Sequence, residues 1–63
     1  MEQEWKYIAS TGRYYRRGED RKELVVGGKP PDCWYFVFQK GVEIGHRDGL
    51  ESIEAAKEAA EAV

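Results

Sequence analysis

An α+β fold, a small antiparallel sheet of four to five strands with one C-terminal helix packed across one face, is predicted by three features of the sequence. Runs rich in aromatic and β-branched residues recur along residues 5–46, separated by glycine, proline and charged clusters. From Ser52 the apolar period changes to that of a helix. The 63 residues show no internal repeat and no linker, so residues 1–63 form a single domain.

Trp5-Lys6-Tyr7-Ile8-Ala9-Ser10 reads as the first strand, and Thr11-Gly12 as a two-residue turn in which Gly12 is free to take positive φ. Arg13-Tyr14-Tyr15-Arg16-Arg17 returns as the second strand, and Gly18 to Lys22 is polar and turn-like. Leu24-Val25-Val26 is a short third strand. Gly27-Gly28-Lys29-Pro30-Pro31-Asp32 reads as a loop, because two prolines do not fit inside a ladder. Cys33 to Gln39 is the central strand; Lys40-Gly41 turns it and Val42 to His46 runs back. In the tail, Ile53, Ala56, Ala60 and Val63 fall on one face at spacings of three, four and three. Ser52 is the expected N-cap, with Asp48-Gly49-Leu50-Glu51 as an alternative capping box.

A chain this short buries only about 60% of its unfolded surface, so its stability is marginal. Cys33 is its single cysteine, which excludes a disulfide framework, and one Cys with one His cannot supply a structural zinc site. The core therefore rests on two Trp, four Tyr and two Phe. No apolar run approaches the roughly 20 residues of a membrane span. The acidic start Met1-Glu2-Gln3-Glu4 lacks the apolar stretch of a signal peptide, and with a free cysteine it points to a reducing cytoplasm.

The central strand Cys33-Trp34-Tyr35-Phe36-Val37-Phe38 is apolar on both faces, and one helix covers only one of them. With a two-residue turn at Lys40-Gly41, Val37 pairs with Ile44, Tyr35 with His46 and Phe36 with Gly45. Gly45 lets a helix approach closely, which favours Trp34, Phe36 and Phe38 beneath the helix. The open face then carries Tyr15, Tyr35, Val37, Ile44 and His46, with Cys33, as a candidate partner-binding surface. A one-residue slip in register exchanges the two faces. Around Thr11-Gly12 the first hairpin places Trp5, Tyr7, Ala9 and Tyr14 in the core and Lys6, Ile8, Arg13, Tyr15 and Arg17 on the open face.

Catalysis is not expected. Cys33 as nucleophile and His46 as base would stand two rungs apart with no orienting carboxylate beyond Asp48. Gly27-Gly28-Lys29-Pro30 lacks the pattern of a phosphate loop. No cofactor or metal is called for. The net charge of −2 excludes a general polyanion binder, but the charge is uneven. Arg13, Arg16, Arg17, Arg21 and Lys22 cluster in the first half, and Glu43, Asp48, Glu51, Glu54, Glu58 and Glu61 in the second. Lys6, Arg13, Arg16 and Arg17 with interleaved aromatics make an alternative nucleic-acid-binding set.

Two resemblances bear on these choices. Trp34-Tyr35-Phe36-Val37-Phe38, Gly41, Gly45, Ser52 and Ala55-Ala56-Lys57-Glu58-Ala59-Ala60-Glu61 resemble short phage and prophage proteins with a Trp-rich strand, a glycine turn and a terminal Ala-Lys/Glu helix. That resemblance covers the second half of the chain. It implies a non-catalytic accessory protein that binds a host protein or itself, among them inhibitors of host machinery such as anti-CRISPR proteins. An acidic patch of Glu51, Glu54, Glu58 and Glu61 would serve such mimicry; the same residues also read as a solvated helix face. The strand-and-helix architecture is similar to the amino-terminal DNA-binding domains of tyrosine integrases, which implies DNA binding by the sheet face.

Overall fold

The computed structural model describes residues 4–63. The acidic start at Met1, Glu2 and Gln3, on which the expectation of no export signal rests, lies outside the described residues. Strands β1 (Lys6–Ile8), β2 (Arg13–Arg17), β3 (Lys22–Lys29), β4 (Asp32–Gln39) and β5 (Val42–Leu50) precede helix α1 (Ile53–Glu61). All five strands form one antiparallel meander in the order β1-β2-β3-β4-β5. This is the expected fold class. No helix among the described residues is long and apolar enough to cross a membrane.

Two turns follow from residue type. Lys40 and Gly41 both take positive φ, 53° and 80°, so β4 and β5 join through a two-residue turn, with Gln39 opposite Val42. Pro30-Pro31, read from sequence as part of a longer loop, is also a two-residue turn, with Lys29 opposite Asp32. The prolines sit outside the ladder, and Gly27, Gly28 and Lys29 therefore extend β3. In the first hairpin Tyr7 lies opposite Tyr14 rather than Arg16, across a four-residue connection closed by Thr11 N–H and Gly12 N–H donating to the Ile8 carbonyl at 3.1 and 2.8 Å. The shift is two residues, so the strand side chains keep their expected face, but Tyr7 and Ala9, expected in the core, are exposed because α1 does not reach β1.

The central hairpin behaves differently. Phe38 pairs with Glu43 as expected, but Val37 then pairs with Gly45 and Phe36 with His46. Ile44 is the extra residue of a β-bulge, and one extra residue moves everything beyond it to the other face. A second irregularity lies between Tyr35 and Cys33, where Cys33 meets Leu50 and Gly49 has φ 72°. β5 thus continues to Leu50, and the capping-box alternative at Asp48 is not used. Ser52 caps α1: its Oγ accepts the Ala55 N–H at 3.1 Å.

The helix covers Cys33, Tyr35 and Val37, the reverse of the expected assignment. With Leu24, Val26, Ala56 and Ala60 these residues form the buried core. Tyr35 and Val37 are therefore core residues and not part of an open binding face, and Cys33 is fully buried rather than half-buried. The physical reason is volume. An Ala56–Ala60 face lies close to the sheet, and Val26, Val37 and Cys33 fit beneath it where Trp34, Phe36 and Phe38 would hold it away. Gly45 does admit a close approach, but by the chain end: a Cβ there would lie 3.1 Å from Val63 Cγ1. Trp5, Tyr14, Leu50, Ile53 and Ala59 complete the core rim.

Candidate binding surface on the open sheet face

Three rows of side chains cross the face that the helix leaves uncovered. The middle row runs Lys6, Tyr15, Val25, Phe36, His46 from β1 to β5. Beside it run Arg17, Glu23, Phe38 and Glu43 on one flank, and Ile8, Arg13 and Trp34 on the other. Each row is basic toward β1 and β2 and aromatic at β4. β1 and β2 contribute Lys6, Arg13, Arg16 and Arg17 and no acid.

The β4 rings support one another. Phe36 lies 5.5 Å from Trp34 in an edge-on arrangement and 6.3 Å from Phe38, with the two Phe planes 19° apart. His46 stacks on Phe36 at 5.6 Å and 22°, not on Tyr35 as the expected register had it. The Trp34 ring occupies the space over Gly27, where an added Cβ would stand 2.5 Å from Trp34 Cζ2. The Arg13 guanidinium covers the ring 5.3 Å from its centroid. Trp34, Phe36 and Phe38 are half-buried by these contacts and by nothing from another layer. His46 Nδ1 lies 2.8 Å from a Glu43 carboxylate oxygen. Ile44 is exposed at the bulge.

Arg16 leaves this surface. It pairs with Leu24 on the helix side and donates to the Glu61 carboxylate, so it is not a companion of Arg13 and Arg17. The same Glu61 oxygen accepts Trp5 Nε1–H at 3.0 Å. Lys57 lies over the Trp5 and Tyr14 rings at 5.7 and 4.5 Å. These contacts tie the end of α1 to β2. Glu61→Gln is expected to lower stability by about 1 kcal/mol, read as a lower urea midpoint, because the pair is partly exposed.

Of the sequence-predicted partner-binding residues, Tyr15 and His46 share the open face, Ile44 stands exposed beside it, and Tyr35 and Val37 lie beneath the helix. Of the nucleic-acid set, Lys6, Arg13 and Arg17 are on the face and Arg16 is not. Cys33 and His46 stand on opposite sides of the sheet and cannot act as a nucleophile and base. Trp34, Phe36 and Phe38, expected in the core, form the centre of the surface. The signal for them was Gly27-Gly28 across the Pro30-Pro31 turn, since a glycine opposite a Trp marks a ring lying flat over backbone.

Two shallow depressions meet at Arg17. Glu4, Lys6, Tyr15 and Arg17 line one, and Arg17, Arg21, Glu23, Lys40 and Gly41 line the other. A basic edge thus runs from Lys6 through Arg17 to Arg21 and Lys40, interrupted by Glu4 and Glu23. Of the acids in the chain's second half, Glu51, Glu54, Glu58 and Glu61 lie on or beside α1, on the far side of the sheet, while Glu43 stands on the open face beside Phe38 and Asp48 borders the depression at Trp34, Phe36 and His46. No family model, curated protein or solved structure matches the chain.

Proposed function

We propose that this protein is a non-catalytic nucleic-acid-binding module that works through the open face of its sheet. The observation that carries the reading is that Lys6, Arg13 and Arg17 stand on the same face as Trp34, Phe36, Phe38 and Tyr15, with the acidic helix behind. Cations next to rings that no second layer covers offer phosphate contacts and stacking together. The net charge of −2 is spread unevenly: the β1–β2 end of this face carries Lys6, Arg13 and Arg17, with Glu23 and Glu43 toward β3 and β5. A protein partner or self-association through the open face is the second reading, favoured by the apolar Trp34-Phe36-Phe38 row, but Tyr35 and Val37 no longer contribute to it. The likeness of residues 34–61 to short phage and prophage proteins supports an accessory role in a mobile element under either reading.

Arg16 and Arg17 provide the test, being neighbours in sequence on opposite faces. Binding of a labelled oligonucleotide, followed by anisotropy, is expected to weaken steeply with salt. Arg17→Ala lowers the slope of log K against log salt by about 1, the loss of one phosphate contact. Arg16→Ala leaves the slope unchanged and lowers the unfolding midpoint instead, through Glu61. Equal slopes for both variants, or association of the protein with itself that ignores salt, would transfer the face to the second reading.

A further inference from the structure

We propose that the open face takes single-stranded DNA, with unstacked bases lying against Phe36 and Phe38 and the phosphates running along Lys6, Arg13 and Arg17. This rests on the nucleic-acid reading above and narrows it to one kind of strand.

The breadth of the sheet argues against a closed duplex. In a duplex the bases rise about 3.4 Å per step and are stacked on one another. The rings of this face stand 5.5 to 6.3 Å apart along β4, close to two residues of strand rise and wider than the base step, a spacing that suits bases spread apart. The sheet is also too broad for a groove. Five strands at about 4.8 Å span roughly 19 Å, against a major groove about 12 Å wide that admits a helix or a two-stranded ribbon. β4 lies inside the sheet, flanked by β3 and β5, and no part of it projects. Its rings reach bases that come to the sheet, as those of a single strand do.

The rows also set how the strand lies. A base on Phe36 puts its sugar over Val25, one strand away, and its phosphate toward Tyr15 and Lys6. Arg13 and Arg17 flank that line, and Arg21 and Lys40 extend the basic edge at the Arg17 end. Val25 offers a sugar no hydrogen-bonding group. A ribose 2′-hydroxyl pressed against it would lose water without gaining a partner, which favours deoxyribose. Glu23, between Arg17 and Phe38, keeps phosphate away from the base positions on that row. Phe36 and Phe38 carry no polar group to read base edges, so the preference among bases at these two rings is weak.

The chain contains its own reporter. Trp34 lies on the proposed surface, and Trp5 is on the other side of the sheet, held by Glu61. The experiment titrates the full chain with oligo-dT, oligo-U of the same length and a mixed-sequence duplex at low salt, reading anisotropy and tryptophan emission. Oligo-dT is expected to bind tightest and to quench emission. Trp5→Phe keeps the quench and Trp34→Phe removes it. Phe36→Leu, which retains apolar bulk but has no ring face, weakens oligo-dT binding by about 5- to 150-fold. Its circular dichroism is read alongside to show that it is folded. Duplex binding as tight as oligo-dT and unaffected by Phe36→Leu would overturn the single-strand inference and leave the nucleic-acid reading standing. A preference for oligo-U would overturn the assignment to DNA. No binding of any of the three by the folded protein would overturn both readings.

Discussion

Tyr35→Ala is expected to lower stability by roughly 3–5 kcal/mol, whereas Phe36→Ala, one position along the same strand, costs markedly less. Tyr35 is 8% exposed and sits beneath α1 with Val26 and Val37, both fully buried. Removing a buried aromatic ring costs roughly 3–5 kcal/mol, because the transfer energy of the ring is lost and the cavity closes only in part. At about 0.05–0.15 kcal/mol per residue the whole domain has roughly 3–9 kcal/mol to lose. Phe36 points to the open face and is half-buried by Trp34, Phe38 and His46 alone. Its removal forfeits ring contacts on a face already open to water and opens no cavity in the core, so it costs less than removal of Tyr35. Urea unfolding followed by circular dichroism separates the two: both midpoints fall, and that of Tyr35→Ala falls much further than that of Phe36→Ala. The opposite pattern would mean that α1 lies on the other side of the sheet.

The same pair of residues shows where the sequence could be read and where it could not. Strand identity, the Lys40-Gly41 turn, the Ser52 cap and the helical Ile53, Ala56, Ala60 stripe all depend on neighbours within a few positions, and each could be read from local chemistry. In the first hairpin the register differs from the expected one by two residues, an even shift that keeps the β1 and β2 side chains on their faces, while Tyr7 and Ala9 lie beyond the reach of α1 and stay exposed. The central hairpin failed by one residue. Its turn was right and its first two pairs were right, and the bulge at Ile44 then reversed Tyr35 against Phe36. A bulge has no strong local signature when the residue inserted is a β-branched one that suits a strand. What decides it is packing between Gly45, Val63 and the small residues under α1, which are distant in sequence. The candidate surface carried the same error. Its basic half, Lys6, Arg13, Tyr15 and Arg17, came from the hairpin with harmless slippage and was legible. Its aromatic half was assigned to the core. Arg16 was grouped with its neighbours because composition does not distinguish the two sides of a strand; Glu61, 45 residues away, holds it on the other side.

The alanine face of α1 sets the remaining large effect: Ala56→Glu is expected to unfold the protein, and Ala62→Glu to leave both fold and binding unchanged. Ala56 is fully buried, and α1 packs on β3 and β4. Any longer side chain there must push the helix off Leu24, Val26 and Val37, and such overpacking costs about 1–3 kcal/mol. A carboxylate adds the penalty of an unpaired buried charge, several kcal/mol more, or must take up a proton to remain. Together these match the stability of a domain this size. Ala62 follows the helix and is exposed, so a charge there meets water. The comparison bears on function because the open face carries no helix of its own. Trp34, Phe36 and Phe38 are held in place by a sheet whose other side is closed by Ala56 and Ala60, and any variant that lifts α1 loses the rows of rings and cations with it. Ala62→Glu adds negative charge on the far side of that sheet, where salt at about 0.1 M screens it from the open face. Oligonucleotide affinity unchanged in Ala62→Glu, beside a lost circular dichroism signal in Ala56→Glu, is the result that a two-layer molecule with its binding chemistry on one layer requires. A strong drop in affinity for folded Ala62→Glu would instead place the ligand against the helix.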